Sequence, residues 1–322
     1  MTTSTQRTVG ALATQALATY LQRVERYEKS VIKDRDPEDL HQMRVNLRKL
    51  RTVMQVFAPG ICLPKAGRES QVATITRDLG KLRDLDVILA TLREQYLPDL
   101  PEKERTRLQI VLNSLLKKRK KLYKQTKSTL KGDRYQGLKK SLHQWTAHPK
   151  YQEIANLDIE ITLPDLTLPL TSCLWLHPGW WINVNQSEGK FKLETSLKAA
   201  ATDAVIADHS DTLHSLRKQI KRVRYQLRLV SRFYGDRLNE DVAKLAQLQE
   251  ALGTLQDSLV MDDILCEILP DWQTQLPTLK ALFIHSRHQA WKQWQKLQQY
   301  YLEPQNRKAL RQQLIQPAWD DN

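Results

Sequence analysis

Glycine is scarce in this sequence: ten of its 322 residues are glycine. Long stretches instead carry apolar residues at helical spacing, which predicts an all-α fold. Cysteine is scarcer still, since Cys62, Cys173 and Cys266 are few, odd in number and far apart. This usage favours reduced thiols in a cytosolic protein over a disulfide framework.

A long apolar run is also missing. No stretch reaches the roughly 20 uninterrupted apolar residues of a membrane-spanning helix. The nearest, residues 161–181, is broken by prolines and polar residues, and the first ten residues lack the apolar core of a signal peptide. We therefore expect a soluble, cytoplasmic protein without a membrane span.

Acidic residues are outnumbered by basic ones. Lysine and arginine total 50 against 36 aspartates and glutamates, which gives a formal net charge of +14. An excess of this size favours a polyanionic partner, such as nucleic acid, polyphosphate or an acidic membrane surface.

A basic segment occurs twice, 173 residues apart, as LHQMRVNLRKLR at 40–51 and LHSLRKQIKRVR at 213–224. In both copies bases follow the histidine at three, seven, eight and ten residues. Gly80 and Gly253 each lie 39 residues after the histidine, and an aspartate follows it at 43 in both copies. This equal spacing predicts a duplicated supersecondary unit.

Each basic segment divides into two faces when it is wound as a helix. At about 100° per residue, His41 and its three following arginines fall within one stripe about 80° wide, opposite an apolar face. The second copy gives the same division. We call the first stripe the first rail: His41, Arg44, Arg48 and Arg51. We call the other the second rail: His214, Arg217, Lys221, Arg224 and Arg228.

Neither rail contains an acid, although bases stacked at helical spacing repel one another. For one helix, a solvated surface would explain such a stripe. The repetition at fixed spacing favours an external anion that neutralises the bases, with His41 and His214 donating hydrogen bonds to it. Asp84 and Asp257 are expected to pair with rail arginines and fix their side-chain conformations.

A further basic stretch lies between residues 111 and 140, where eleven bases accompany one acid, Asp133. Lys117, Lys121 and Lys124 fall on one side of the predicted helix. This stripe is either another wall of the binding groove or solvated surface.

The helical pattern is interrupted between residues 147 and 189 by prolines and a tryptophan-rich run, LWLHPGWW at 174–181. We expect this segment to pack on the helices, because exposed tryptophan is costly. The tail after Pro304 is expected to be partly irregular. Helices are predicted over residues 8–32, 37–57, 64–97, 101–130, 133–146, 190–208, 210–234, 237–268 and 271–302.

The motifs resemble those of the CHAD family, the conserved histidine α-helical domain. The pattern His-x-x-Arg, two further bases and Arg, then Leu-Gly-x-x-Arg-Asp-x-Asp-Val, matches residues 41–51 and 79–87, and the second copy matches more loosely. The resemblance covers nearly the whole chain. It implies two helical bundles related by internal pseudo-twofold symmetry around a basic central channel that binds inorganic polyphosphate. It also implies an association with polyphosphate granules.

The resemblance predicts a single CHAD-like domain over 1–322, with helical-bundle repeats at 8–148 and 190–303 and a Pro/Trp-rich connector at 149–189. Gln256 stands where the first copy has Arg83, so we expect the two channel walls to be inequivalent. The predicted polyphosphate-binding residues are His41, Arg44, Arg48, Lys49, Arg51, Lys117, Lys121, Lys124, His214, Arg217, Lys218, Lys221, Arg222, Arg224 and Arg228.

Three other functions have weaker support in the sequence than binding of polyphosphate. A nucleic-acid binder is compatible with the charge, although no zinc-finger spacing or RNP-type sequence occurs. An enzyme acting on phosphoanhydrides would need a phosphate-binding loop or a magnesium site, and neither motif is present. Metal binding by the two histidines is a weaker option. We expect a non-enzymatic protein without catalytic residues, metal or cofactor, and the oligomeric state stays open.

Overall fold

A computed structural model describes residues 7–187 and 190–317 of the chain. These residues are almost entirely helical, which confirms the all-α prediction. The only sheet among them is antiparallel and two-stranded, with β1 (Val184–Ser187) paired to β2 (Lys190–Leu193). The described residues form two compact units. A pseudo-twofold relation around a central channel stays a prediction.

Unit 1 takes in the described residues up to Ala90 together with Asn113–Leu166. Its helices agree with the predicted ones to within a few residues, except that the third ends early and is followed by a π-helical segment, Thr91–Tyr96. The helices are α1 (Val9–Lys33), α2 (Pro37–Val56), α3 (Glu69–Ala90), most of α4 (Glu102–Lys131), α5 (Asp133–Ala147) and the start of α6 (Ile159–Trp175).

The start of α2 is stabilised by its own sequence. The Asp36 side chain accepts a hydrogen bond of 2.8 Å from the backbone N–H of Glu38, and Pro37 occupies the first helical position. The apolar face of α2 is fully buried at Met43, Leu47 and Leu50. Burial of this face directs the first rail away from the core of unit 1.

Unit 2 takes in Thr91–Leu112 and the described residues from Thr167 onward. Two predictions for it are wrong. The helix expected from residue 190 begins at Ala199, after β2, and the helix expected over 271–302 is divided in two before Pro277. The tail, expected to be partly irregular, contains a further helix with Pro304 in its first turn, and residues 316 and 317 after it are not helical. The helices are α7 (Ala199–Asp208), α8 (Ser210–Val230), α9 (Gly235–Ile268), α10 (Trp272–Gln275), α11 (Pro277–Leu302) and α12 (Pro304–Ile315).

The Pro/Trp-rich connector contains a helix that was not predicted, because prolines interrupt its sequence. α6 runs through Pro164 and Pro169. Four of its fully buried positions follow at four-residue steps: Ile159, Leu163, Thr167 and Thr171. The predicted packing of the tryptophans is confirmed for Trp175 and Trp180, whereas Trp181 is 42% exposed. None of the described helices is both long and apolar enough to cross a membrane.

A half-buried arginine, Arg119, connects three helices in unit 1. Arg119 of α4 donates two hydrogen bonds, of 2.7 and 2.8 Å, to Asp34 at the end of α1. Its Nε donates to Asp86 of α3 at 2.6 Å. Charge-assisted bonds in this bidentate geometry fix the direction of the arginine side chain as well as contributing stability.

Unit 2 uses an arginine in a similar way. Arg287 of α11 donates to Asp203 of α7 at 2.8 Å and to Ser258 of α9 at 2.7 Å. It also donates to Asp262 of α9. In each unit, therefore, one arginine bridges two carboxylates from two other helices.

We expect Arg119→Met to lower the free energy of unfolding by about 3 kcal/mol, because it leaves two carboxylates without their partner. Lys120→Met, at the exposed neighbouring position, is the control and should cost less than about 0.5 kcal/mol. Urea unfolding followed by circular dichroism measures both changes. Equal unfolding midpoints for the two variants would show that the Arg119 network is not a stabilising element.

Candidate functional site

Both rails lie on faces of helices that turn away from a buried apolar side. On α2 the bases of the first rail are half-buried. On α8 the apolar face is fully buried at Leu216, Ile220 and Val223. Arg228 of the second rail is exposed, as are the flanking bases Lys218 and Arg222.

Arg44 of the first rail lies against the backbone of α3. A Cβ atom on Gly80 would stand 2.5 Å from its Nη1, closer than real contacts allow, so glycine is needed for this approach. The same nitrogen donates a hydrogen bond of 2.7 Å to the carbonyl of Thr76. Its Nη2 lies 3.6 Å from Asp84, and the side chain is 12% exposed. Arg44 therefore connects α2 to α3 through a hydrogen bond and an ion pair.

Arg217 of the second rail repeats this arrangement against α9. A Cβ atom on Gly253 would stand 3.2 Å from its Nη2, and the same nitrogen lies 3.9 Å from Asp257. The expected pairing of Asp84 and Asp257 with rail arginines is thus confirmed. We call each set an arginine–glycine contact: Arg44 with Gly80 and Asp84, and Arg217 with Gly253 and Asp257.

An acid from outside the repeated motifs neutralises the far end of the first rail. Glu69, at the start of α3, accepts a hydrogen bond from Nε of Arg51 and another, of 2.9 Å, from Gln55. The Arg51–Glu69 pair was not expected from the sequence, and it neutralises this base from within the protein. The rails contain no acid of their own, but neighbouring helices supply some.

The second rail ends differently. The guanidinium of Arg224 lies over the ring of Tyr225 at 4.9 Å, within the range of a cation–π interaction. Within the part of the chain that the structure describes, Arg224 and Arg228 form no ion pair. These two positive charges therefore remain available to a ligand.

The pKa values of both rail histidines are lowered. Burial is the main cause for each, and nearby cations add to it: chiefly Arg83 beside His41, and Lys218 and Arg217 beside His214. The Gln256 side chain shares a hydrogen bond with His214, which opposes the shift. Both imidazoles are therefore largely neutral at pH 7 and present one N–H donor each.

Unsatisfied polar atoms gather on the second rail. Among the described residues, three buried nitrogens of this rail have no hydrogen-bond partner: Nδ1 of His214 and the Nε atoms of Arg217 and Arg224. Buried polar atoms of this kind carry an unfavourable free energy until they form a hydrogen bond. Phosphate oxygens are suitable acceptors.

Some predicted residues lie away from the rails. Lys49 faces α1, with its Nζ 5.8 Å from the ring centre of Tyr20. Three lysines of α4 are exposed on the side opposite Arg119, so they form a separate basic stripe: Lys117, Lys121 and Lys124.

Residues outside the predicted set also shape the site. Arg83 and Gln256 occupy matching positions of the repeat, and each acts on the histidine of its own unit. Their position in the motif could have indicated this role. Glu69 carries no such signal, because it is an ordinary acid in the first turn of α3.

Two further features lie apart from the rails. Unit 2 has a cavity of about 780 Å³ whose lining includes Tyr234, Arg237, Asp241, Lys244 and Tyr300 but no predicted site residue. Among the described residues, no group of three or more histidine, cysteine, aspartate or glutamate side chains is arranged to hold a metal ion.

Comparison with known proteins agrees with the repeated motifs. The model of the CHAD domain family matches residues 15–266. The chain is similar to the crystal structure of the CHAD domain from the plant Ricinus communis, with 21% identity, a TM-score of 0.55, and coverage of 95% of this chain and 91% of that one.

A second solved structure has the same fold. PptA from Streptomyces chartreusis shares 14% identity and a TM-score of 0.61, with coverage of 91% of this chain and 99% of that one. At these identities the likeness concerns the fold. No curated protein matches the chain.

The two arginine–glycine contacts predict opposite effects of one substitution. Gly80→Ala should displace Arg44 and lower the free energy of unfolding by about 1 kcal/mol, since a charged hydrogen bond is lost while helix propensity is gained. Gly253→Ala needs a shift of only a few tenths of an ångström and should be neutral or stabilising, by up to about 1 kcal/mol. Thermal and urea unfolding measure both. A stabilising Gly80→Ala would contradict the close approach of Arg44.

Proposed function

This chain belongs to the CHAD domain family, and from that premise we propose that it binds inorganic polyphosphate through its two rails without catalysing a reaction on it. The observation that carries the proposal is the repeated geometry. In each unit an arginine is set into the neighbouring helix beside a glycine, and further bases follow it along the same helix face. We place this role in the cytoplasm, at polyphosphate granules.

Polyphosphate suits such a surface for electrostatic reasons. It is flexible and carries closely spaced negative charges, so it can follow a row of bases on a rigid helix. Arginine grips phosphate oxygens through two parallel hydrogen bonds, whereas lysine acts as a point charge. The buried nitrogens without partners on the second rail would gain acceptors when phosphate binds.

The lysine stripe of α4 enters the proposal as an additional contact surface. Lys117, Lys121 and Lys124 are exposed, and successive members stand about one helical turn apart. The alternative for this stripe is a solvated surface, and triple substitution of these lysines by glutamine separates the two. A fall in polyphosphate affinity no greater than that of a charge-matched control favours the solvated surface.

The proposal predicts that loss of bases on and beside the second rail weakens binding of long-chain polyphosphate at least about tenfold. It also predicts a shallower dependence of affinity on salt, because fewer counterions are displaced. Isothermal titration over a series of salt concentrations measures both quantities. The variant replaces four bases by glutamine: Lys218, Lys221, Arg222 and Arg228.

A control variant removes the same charge from exposed positions of unit 2 outside the rail. It replaces four lysines by glutamine: Lys192, Lys198, Lys280 and Lys308. We expect it to lose less than about threefold in affinity, because only long-range attraction changes. Equal losses for the two variants would contradict a specific role for the rail.

Competing ligands separate this function from the alternatives. Duplex DNA and RNA, at matched phosphate concentration, should displace polyphosphate poorly, because the rails do not alternate bases with stacking aromatics. Equal displacement would favour a nucleic-acid binder. Release of orthophosphate from polyphosphate in the presence of Mg²⁺ would favour an enzyme.

Binding should strengthen as the pH falls. The pKa values of His41 and His214 are lowered in the free protein, so both rings stay neutral to a lower pH than an ordinary imidazole does. A bound polyanion raises these pKa values, and binding therefore takes up protons. We expect affinity to rise between about pH 8 and pH 5.5 in wild type, and less in the His41→Asn/His214→Asn variant. Identical pH profiles would contradict contact between the imidazoles and the ligand.

A further inference from the structure

Each position of the first rail has a counterpart 173 residues later, on the second rail. Arg51 and Arg224 correspond, and both end the shared motif. Arg51 donates to Glu69 on the next helix. The counterpart of Glu69 is Val242 on α9, which is 6% exposed and carries no charge. Arg224 therefore lacks the acid that neutralises Arg51.

The neighbouring position extends this difference. Gln55 donates its side-chain amide to Glu69 at 2.9 Å, and its counterpart is Arg228. The first rail thus ends in an arginine and an amide that share one carboxylate. The second ends in two arginines, Arg224 and Arg228, that form no ion pair within the described residues.

The arginine–glycine contact of unit 2 also has fewer hydrogen bonds within the protein than that of unit 1. Arg44 donates to the carbonyl of Thr76, and Thr76 corresponds to Gln249 in unit 2. The Oε1 atom of Gln249 and the Nε atom of Arg217 are both buried without a hydrogen-bond partner in the described part of the chain. The contact in unit 1 is therefore closed within the protein, whereas that in unit 2 keeps unused hydrogen-bonding capacity.

One difference adds positive charge to the first rail instead of the second. Arg83 stands beside His41, where unit 2 has the uncharged Gln256. This adds one positive charge near the first rail. The exchange of Glu69 and Gln55 for Val242 and Arg228 makes the second rail more positive than the first by two charges. Arg83 offsets one of them, so over these positions the second rail remains the more positive.

On the premise of the proposed function, we infer that polyphosphate binds most tightly to the second rail and that Glu69 is an internal competitor that occupies the far end of the first. The first rail then serves as a weaker site whose arginines are already partly paired with Glu69 and Asp84. The chain would engage a long polyanion from unit 2 first.

Two comparisons, each matched in net charge, test this inference in the full chain with long-chain inorganic polyphosphate. Arg224→Gln is compared with Lys280→Gln, an exposed position on α11 that also loses one charge. Arg51→Gln/Glu69→Gln is compared with wild type, because it removes a neutralised pair and leaves the net charge unchanged. Titration at one fixed salt concentration gives the dissociation constants.

We expect Arg224→Gln to bind about tenfold more weakly than Lys280→Gln, and the double variant to stay within about twofold of wild type. The inference stands if the loss of affinity of Arg224→Gln relative to Lys280→Gln is at least threefold larger than the loss of the double variant relative to wild type. Any smaller ratio overturns it and leaves the proposed function intact, provided that wild type binds. Failure of wild type to bind polyphosphate would instead remove the proposed function.

Circular dichroism and thermal unfolding establish that each variant is folded. Arg224 is half-buried, so its replacement can disturb α8. If Arg224→Gln does not fold, Arg228→Gln takes its place, since that side chain is exposed and is compared with Lys280→Gln by the same threefold criterion.

Discussion

Close approach of an arginine to a glycine on the next helix is the constraint on which the basic surface depends. Arg44 reaches the backbone of α3 because Gly80 has no side chain, and Asp84 stands one turn further along to meet the same guanidinium. Arg217, Gly253 and Asp257 repeat this in unit 2. The contact fixes the register between the basic helix and its neighbour, so the remaining bases are held at set positions on an otherwise rigid face.

A row of bases on one helix face is unfavourable when nothing neutralises it. The two units neutralise this charge to different extents. In unit 1, Glu69 and Asp84 supply negative charge from α3, and the first rail is partly neutralised within the protein. In unit 2, Asp257 alone stands in the corresponding place and buried nitrogens lack partners among the described residues. On the proposed function, a bound polyanion would supply what the second rail lacks, and the same repeated motif would then give two sites of unequal strength.

Helical periodicity and the 173-residue interval were enough to predict the all-α fold, the buried faces of the basic helices, and the pairing of Asp84 and Asp257 with rail arginines. Three features were missed for physical reasons. Prolines in α6 masked its helical pattern, although its burial at four-residue steps continues through them, and Pro304 opens α12 in a tail that was expected to be only partly regular. Glu69 resembles any acid in a first helical turn, so only the packing of α3 beside α2 shows that it reaches Arg51.

A crystal structure of the protein with polyphosphate of defined length tests most directly whether the rails are the binding surface. The account predicts phosphate oxygens within about 3 Å of the guanidinium of Arg224 and of the imidazole of His214, with the arginine–glycine contacts unchanged. Phosphate bound only to the lysine stripe of α4 or in the cavity beside Tyr300, with both rails in their present arrangement, would contradict it.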